Sequence, residues 1–591
     1  MPLVGLKIPA GVVRHGTDYE NSGRWRDANL IRWENNSVRP IGGWEERSIY
    51  IPATKTVTSI TIDTSGTPEF FTLVTSTAHG VTAGNNFKLS GAGTGSVSGN
   101  DINSDEVYCF EVVNTTTLKF YNPNVQSSAF NSSDTFNASG AVLDNKQGAS
   151  TITNPPRGAL AWTDNQFNPN LAIGNYEKLF HVSGVNVITD ITPAGFTTGR
   201  ANADANNGYG GYYYGLSNYG TQRPDNSIGL EADTWALDNW GQYLVACATS
   251  DKKIYEWQLN TSTVAQQISN SPLARSIVVT EDRFLFALAS DNDPRKISWC
   301  DRDDNTVWTP SATNEAGDYT INSQGEILQG INVRGRTLIL TTVDAFVATY
   351  SGAPVVYGFE QVGKDCGAVS RRSAVALDEG GFWMGNNGFF FYNGSAVQEI
   401  PCAVHDYVFE DINTAEISKV WGLHNGQFNE IWWFYPSGSS VEIDRYVIFD
   451  YKEKHWNIGQ LNRTAGVDIG VFTNPIWLDE TGKAYNQERG YDHQNVLPFV
   501  ESSPISLGEG DNVMNVTKLI PDENNLGDVS VTFKTRYYPT GAETTHGAFT
   551  LSNPTSVRLQ GRQVRMRING VNLVNWKVGK MRVEVTTGGK R

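Results

Sequence analysis

The sequence predicts an all-β protein built around a β-propeller, with a β-sandwich-like platform formed by both chain ends and an inserted small β-barrel domain. Three observations predict this. The 591 residues include 58 Gly, 16 Trp, 24 Tyr and 26 Phe, spread evenly, which favours many short strands joined by tight turns. No stretch carries the apolar spacing of a long amphipathic helix. Between residues 150 and 500 an apolar strand, a polar turn and an aromatic-ended strand recur, at a spacing of about 40–50 residues typical of a propeller blade.

Residues 1–50 form an N-terminal arm that is part of the platform, dense in interleaved Arg and Trp: GRWRDANLIRWENNSVRPIGGWEE. Pro40 and the Gly42–Gly43 pair break any helix. Either the Trp rings pack on a face of the same chain, or the arm docks on a neighbouring subunit through Arg24, Trp25, Arg32, Trp33 and Trp44, the residue types that dominate interface hot spots. Seven basic residues stand against six acidic ones in 1–48, which argues against a nucleic-acid arm.

Residues 51–149 turn rich in Thr, Ser, Asn and Gly with alternating apolar positions, and read as an inserted small β-domain. Phe70–Val74 is a strand, His79-Gly80 a tight turn, and Asn114–Thr117 the turn of a hairpin. A lone His79 in that turn is read as hydrogen-bonded to backbone, not as a metal ligand. Residues 150–500 are the propeller, in about six units. Strands with continuous apolar runs, such as Thr337–Thr341 and Glu430–Tyr435, fit radial sheets buried on both faces. In 501–591 the pattern returns to period two, with Val564, Met566 and Ile568 on one face and Arg565 and Arg567 on the other, a platform domain.

Composition excludes some functions. With 39% hydrophobic and 18% charged residues the chain buries real cores and is not disordered. A net charge of −16 removes the attraction that drives phosphate binding, so a sequence-reading DNA binder is not expected; a passage along which DNA slides is compatible with it. Cys109, Cys247, Cys300, Cys366 and Cys402 are odd in number, far apart and without CxxC spacing, as expected of buried thiols in a reducing compartment. The start MPLVGLKIPAGVV has no secretory pattern, and no apolar run is long enough for membrane insertion.

A search for chemistry predicts no enzyme, no cofactor and no metal. Asp301–Trp308 lacks the Gly of a sialidase Asp-box and reads as a turn. DETGK (479–483) and DNDP (291–294) read as hairpin turns, and His405, His424, His455 and His493 show no zinc spacing with Cys. No G-x-S-x-G elbow or phosphate-binding G-x-x-x-x-G-K-[ST] loop occurs, and no carboxylate pair stands out for glycoside hydrolysis. The run GYGGYYYG (208–215) reads as a loop stacking on a neighbour, or more weakly as a sugar platform.

Several stretches carry a likeness to a known family. GRWRDANLIRWENNSVRPIGGW (23–44), the phrase Pro294–Asp301 followed by Trp308, Val447–Asp450 ending in His455-Trp456, and the terminal VRLQGRQVRMRINGVNLVNWKVGKMRVEVTTGGKR (557–591) resemble the nozzle, or tail-hub, proteins of short-tailed bacteriophages. The His79-Gly80 turn is similar to that of small barrel insertions in phage structural proteins, with Asn85 where Asp is usual. The resemblance implies a virion structural protein of the phage tail, assembled in the host cytoplasm. It further implies a homo-oligomer, a hexameric ring docked on the portal–adaptor complex and carrying tail fibre or needle proteins. Its channel would retain genomic DNA and then conduct it without sequence preference at DNA ejection. The alternative is a propeller that binds or depolymerises host glycans.

The C-terminal segment 558–591 holds nine basic residues and one acidic residue, near +8, while the other 557 residues sum to −24 (−16 minus +8). The segment reads either as a solvated strand face or, preferred here, as a face that docks on an acidic surface, the adaptor ring or the next subunit, with DNA contact as a third option. Arg562, Arg565, Arg567, Lys577, Lys580 and Arg582 are therefore candidate interface residues, with Arg565 and Arg567 at the centre of the expected patch.

Overall fold

The computed structural model describes residues 3–51, 53–63, 70–92, 102–122, 136–145, 152–203, 230–506 and 512–589. They divide into two compact units: Met1–Glu46, Asn154–Phe180 and Asp190–Arg591 in one, Arg47–Thr153 with His181–Thr189 in the other. The Gly/Tyr run 208–215 lies outside the described residues.

The larger unit contains the propeller. Seven four-stranded antiparallel sheets succeed one another, each opening with an innermost strand: Pro156–Thr163, Trp235–Trp240, Ser276–Val279, Ile327–Val333, Ala374–Leu377, Trp421–Asn425 and Ala465–Val467 for blades 1 to 7. Each innermost strand touches the next, and that of blade 7 touches that of blade 1, so the ring is closed. The count of about six is thus corrected to seven. The seventh escapes a sequential count because its own segment supplies only three strands, and the fourth is Trp44–Arg47 from the other end of the chain.

Local sequence explains the blades. Second strands such as Glu430–Tyr435 and Gly380–Gly385 are buried at every residue, as radial sheets flanked on both faces require. Near the axis the strands crowd, and small residues make room. A Cβ on Gly422 would lie 2.8 Å from Val375, and one on Gly330 2.7 Å from Val278. Indole N–H groups then tie blade to blade, Trp235 to the Asn175 carbonyl at 2.7 Å and Trp433 to the Ser373 carbonyl at 2.8 Å. Each such ring buries roughly 150–250 Å² and satisfies its one donor. Asp301 accepts from the N–H of Arg302 and Glu315 and closes a turn, as the sequence predicts; Asp479 does the same for Thr481 and Lys483.

Both chain ends build the platform. One sheet runs Leu3–Gly5, Arg582–Thr587, Met514–Ile520, Thr555–Gly561. The other runs Trp25–Asn29, Phe499–Ser502, Gln563–Gly570, Val529–Arg536, Thr544–Thr550, with Ile505–Ser506 against its third strand. Val516, Leu519, Val583 and Val585 of the first join Val531, Phe533, Met566 and Ile568 of the second in one core, which continues into Phe389, Trp433 and Trp456 of blades 5 and 6. The first residues thus join the platform, as the sequence predicts. They supply a platform strand, a hairpin (Ile31–Glu34 with Ser37–Pro40) and the closing strand of blade 7.

The smaller unit contains a closed six-stranded barrel with the order Thr117–Tyr121, Phe70–Thr75, Ala53–Asp63, Val142–Asn145, Asn86–Ser90, Ser104–Asn114. Its core is Val57, Ile60, Phe71, Leu73, Phe87, Leu89, Val107, Leu118 and Phe120. His79 is buried at its turn. Its Nδ1 accepts from the Val81 N–H at 3.0 Å, which makes Nε2 the donor to the Asn114 carbonyl at 3.0 Å. The backbone-bonded histidine expected from the sequence is the one found.

The five cysteines are free thiols, four of them buried. Among the described residues no helix is long and apolar enough to cross a membrane.

Candidate functional site

The N-terminal candidates turn inward. Trp25, Arg32, Trp33 and Trp44 are 5, 3, 4 and 6% exposed, and only Arg24 of that group stays at the surface. Arg32 is wedged between blades 6 and 7. Its Nε and Nη2 donate to Glu430 at 2.8 Å each, its Nη1 and Nη2 to Glu488 at 2.9 and 2.7 Å, and its guanidinium lies 3.4 Å over the Phe428 ring. Burial alone would lower the Arg32 pKa, but the two carboxylates hold it above its ordinary value. Burial likewise raises the Glu430 carboxyl. It works against Glu488 too, yet Arg32 and the Gly42 N–H leave Glu488 below its ordinary value. Two carboxylates thus do come together, but as the clamp of an arginine. As an exposed interface this group is corrected: three Trp rings and Arg32 are spent on holding the chain's own ends to its propeller.

The C-terminal candidates divide. Arg565 and Arg567 do face away from the core, as their alternation predicts, yet acidic residues of the same chain meet them there. Arg565 pairs with Asp18 and with Glu543 at 3.1 Å. Arg567 pairs with Glu501 at 3.2 Å and lies 3.6 Å over the Phe499 ring. Lys577 pairs with Glu34 at 3.2 Å, and Arg562 is half-buried 5.6 Å from the Tyr538 ring. The basic face that remains at the surface is Arg558, Lys580 and Arg582, all exposed. Placing the patch on Arg565 and Arg567 is therefore corrected. Sequence alternation assigns a side of a strand but not what stands opposite it.

A site that the sequence did not reveal lies on the propeller axis. The innermost strands enclose a cavity of about 380 Å³, lined by Trp235, Asp238, Asn332, Arg371, Arg372 and Trp421 among others. Around it runs a network of charge in which Arg371, Lys419 and Arg157 are buried. Arg371 donates to Glu231 and, at 2.7 Å, to Glu326; Lys419, fully buried, meets Glu416 and Glu442 at 3.0 Å and the Asn202 side chain at 2.7 Å; Arg157, also fully buried, pairs with Glu442. Arg372 differs. Its partners are the carbonyls of Thr464 and Lys419 at 3.4 and 3.3 Å, and burial, reinforced by the charge of Arg157, pushes its pKa down to about 9. Arg157 meets Glu442, and Lys419 meets Asn202, across more than 200 residues, so no local motif marks the cluster.

Asp238 stands in the cavity wall and stitches blade 2 to blade 3 by accepting the Val279 N–H at 2.8 Å. Burial pushes its carboxyl up to about 6 from 3.8, against the pull of the hydrogen bonds from Val279 and Asn239. The folded state thus holds this proton more tightly than the unfolded one. Stability complete below pH 3.8 is lost as pH rises to about 6. Relative to Asp238→Asn, the wild type is expected to lose up to about 3 kcal/mol across that window. Urea midpoints of both proteins at pH 4 and pH 7 check this, and a difference that does not change with pH contradicts it.

No family model matches the chain, and no curated protein matches it. Solved structures that it matches include YCF48 from Cyanidioschyzon merolae, 9% identical over 59% of this chain and 98% of that one, with a TM-score of 0.32. PorZ of Porphyromonas gingivalis, described as a surface component of the type-IX secretion system, is 8% identical over 68% of this chain and 45% of its own, TM-score 0.31. The exo-β-1,3-galactanase of Phanerochaete chrysosporium is 12% identical over 74% and 97%, TM-score 0.25. Likenesses this distant carry no argument about activity.

Proposed function

We propose that the chain is a non-enzymatic structural subunit of a short-tailed phage tail nozzle, which assembles as a ring with its own copies and gives passage to genomic DNA. One observation supports this reading above others. Two of the segments that resemble the nozzle family, those at the chain ends, build the platform and close the ring. Residues 23–44 supply Trp25–Asn29, the hairpin and the start of the closing strand, and 557–591 supply Gln563–Gly570 and Arg582–Thr587. Most charged groups around the axial cavity are engaged with one another, and Arg372 and Asp238 with backbone, an arrangement suited to rigidity. Six copies would carry about −96 (6 × −16), a field that keeps DNA from adhering to the wall at low salt. The exposed Arg558, Lys580 and Arg582 are then the surface offered to an acidic neighbour, the adaptor or the next subunit.

Imaging of the purified full chain, alone and with the phage's portal–adaptor complex, tests the reading. A closed ring with an axial opening wide enough for duplex DNA is the expected result. The triple variant Arg558→Glu, Lys580→Glu, Arg582→Glu should stay folded by circular dichroism and fail to form it. A chain that stays monomeric with and without the adaptor, or that depolymerises capsule or lipopolysaccharide glycan, overturns the reading.

A further inference from the structure

We propose that His15, His405 and Asp406 form a binding site for a divalent metal ion of the zinc class, which staples the N-terminal segment to the connector between blades 5 and 6. His405 and Asp406 open the short helix His405–Phe409 of that connector, and His15 lies on the stretch leading to the platform strand Trp25–Asn29. The two histidines are 390 residues apart, which is why no zinc spacing shows in the sequence. The segment is already held there by backbone, with the Val12 N–H on the Trp456 carbonyl at 2.8 Å and the Arg14 N–H on the Ala403 carbonyl at 2.7 Å. The site is thus presented by two anchored pieces of chain.

The geometry fits the ion. His15 Nδ1 lies 3.0 Å from Asp406 Oδ1, and His405 Nδ1 lies 3.2 Å from the same oxygen. All three ligand atoms fall within 4.8 Å of one another. Ligands at the usual zinc–nitrogen and zinc–oxygen distances of about 2.0–2.1 Å stand about 3.3 Å apart in a tetrahedron, so two of the three edges are close to formed. The exposed His15 ring has the freedom to close the third. Two imidazoles and one carboxylate are a donor set that zinc accepts, with a fourth position left for water. Asp406 and Gly16 border an open polar cavity of about 660 Å³ that would supply that water. The arginines of that cavity do not compete for Asp406. Arg14 pairs with Asp27, Arg26 with Asp18, and Arg445 with Asp411.

The hydrogen-bond arithmetic of His405 adds a further contact to this geometry. Its Nε2 faces the Asn387 carbonyl at 3.2 Å, and its Nδ1 faces the Asp406 carboxylate. Both neighbours are acceptors, and a neutral imidazole has one N–H to give, so both are served only by an imidazolium or by a cation at Nδ1. With a cation between Nδ1 and Asp406 the conflict disappears: Nε2–H donates to Asn387 and the Nδ1 lone pair binds the metal. That outer hydrogen bond to a backbone carbonyl is the support that metal-bound histidines nearly always have. Asp406 has its own, since its Oδ2 accepts the Gly16 N–H at 3.2 Å.

The test uses tag-free full-length protein stripped with a chelator and titrated with Zn²⁺ by calorimetry, and with Co²⁺ by visible absorption. One equivalent should bind, Co²⁺ should give the intense bands of a tetrahedral site, and Tm should rise with zinc. His15→Gln, His405→Gln and Asp406→Asn should each weaken binding ~100-fold or more, beyond the roughly 10–100-fold lost with an outer hydrogen-bond partner. His424→Gln, a histidine elsewhere on the surface paired with Asp468, should change nothing. Circular dichroism confirms that each variant folds. Absence of stoichiometric binding in the wild type, or binding that survives all three substitutions, overturns the proposal. Failure of ring assembly would leave it standing, because the calorimetric and absorption readouts do not depend on assembly.

Discussion

Replacing Arg32 by alanine is expected to cost the fold about 3–5 kcal/mol, seen as a fall in the urea midpoint followed by tryptophan fluorescence, because it strands two buried carboxylates. Arg32 donates four hydrogen bonds to Glu430 and Glu488. The remaining contacts cannot hold two negative charges there: Glu430 keeps the Trp432 indole N–H at 3.0 Å, and Glu488 keeps the Gly42 N–H at 2.8 Å and Asn425 at 3.1 Å. The cost comes from the stranded charges more than from the lost bonds, and that is checkable. The triple variant Arg32→Met, Glu430→Gln, Glu488→Gln, similar in volume and uncharged, should recover most of the loss, since a buried ion network contributes little net over apolar groups of its size. A single-variant loss below about 1 kcal/mol would mean that water reaches the carboxylates and would sink the argument.

The same residue marks how far the sequence could be read. Period and polarity are local properties, and what depends on them was legible. Glu430–Tyr435 reads as a strand buried on both faces and is one. Val564, Met566 and Ile568 read as a core face and are one, and His79 reads as a turn residue bonded to backbone and is one. What depends on a distant partner was not legible. Arg32 meets Glu430 and Glu488 across 398 and 456 positions, so nothing in GRWRDANLIRWENN separates a residue bound for the core from one bound for a neighbour. Arg565 and Arg567 are met by Asp18, Glu501 and Glu543, which the charge count of 558–591 leaves out by construction. The axial cluster of Arg157, Arg371, Arg372 and Lys419 has the same origin, one residue or two from each of several blades. A closed ring makes the most distant segments neighbours, and its specific contacts are therefore the least visible in sequence.

Trp44→Ala is expected to lose about 3–5 kcal/mol, while Glu45→Ala, one residue on, should lose under about 1 kcal/mol. Both lie on the strand that completes blade 7, and they face opposite sides of it. Glu45 points to solvent, where it pairs with Arg489 at 2.8 Å, both side chains 57% exposed. Trp44 points inward to a core with Ile41, Trp477 and Tyr485, and stands edge-on to His493 at 5.2 Å. It also shelters Arg463. That guanidinium lies 5.0 Å from the Trp44 ring and 4.3 Å from Tyr485, and burial pushes its pKa down to about 10. With the ring removed, the arginine loses one of its two aromatic faces and a cavity opens beside it, so the transfer and cation–π losses add. The consequence reaches beyond the point of substitution. The strand Ala484–Gln487 depends on Trp44–Arg47 for its outer partner, and a loosened closing strand exposes an unpaired edge. Trp44→Ala should therefore also show faster proteolysis near residue 44 under native conditions and a greater tendency to aggregate than Glu45→Ala. Equal losses from the two substitutions would mean that the contacts among innermost strands alone keep the ring shut and that Trp44–Arg47 merely decorates its rim.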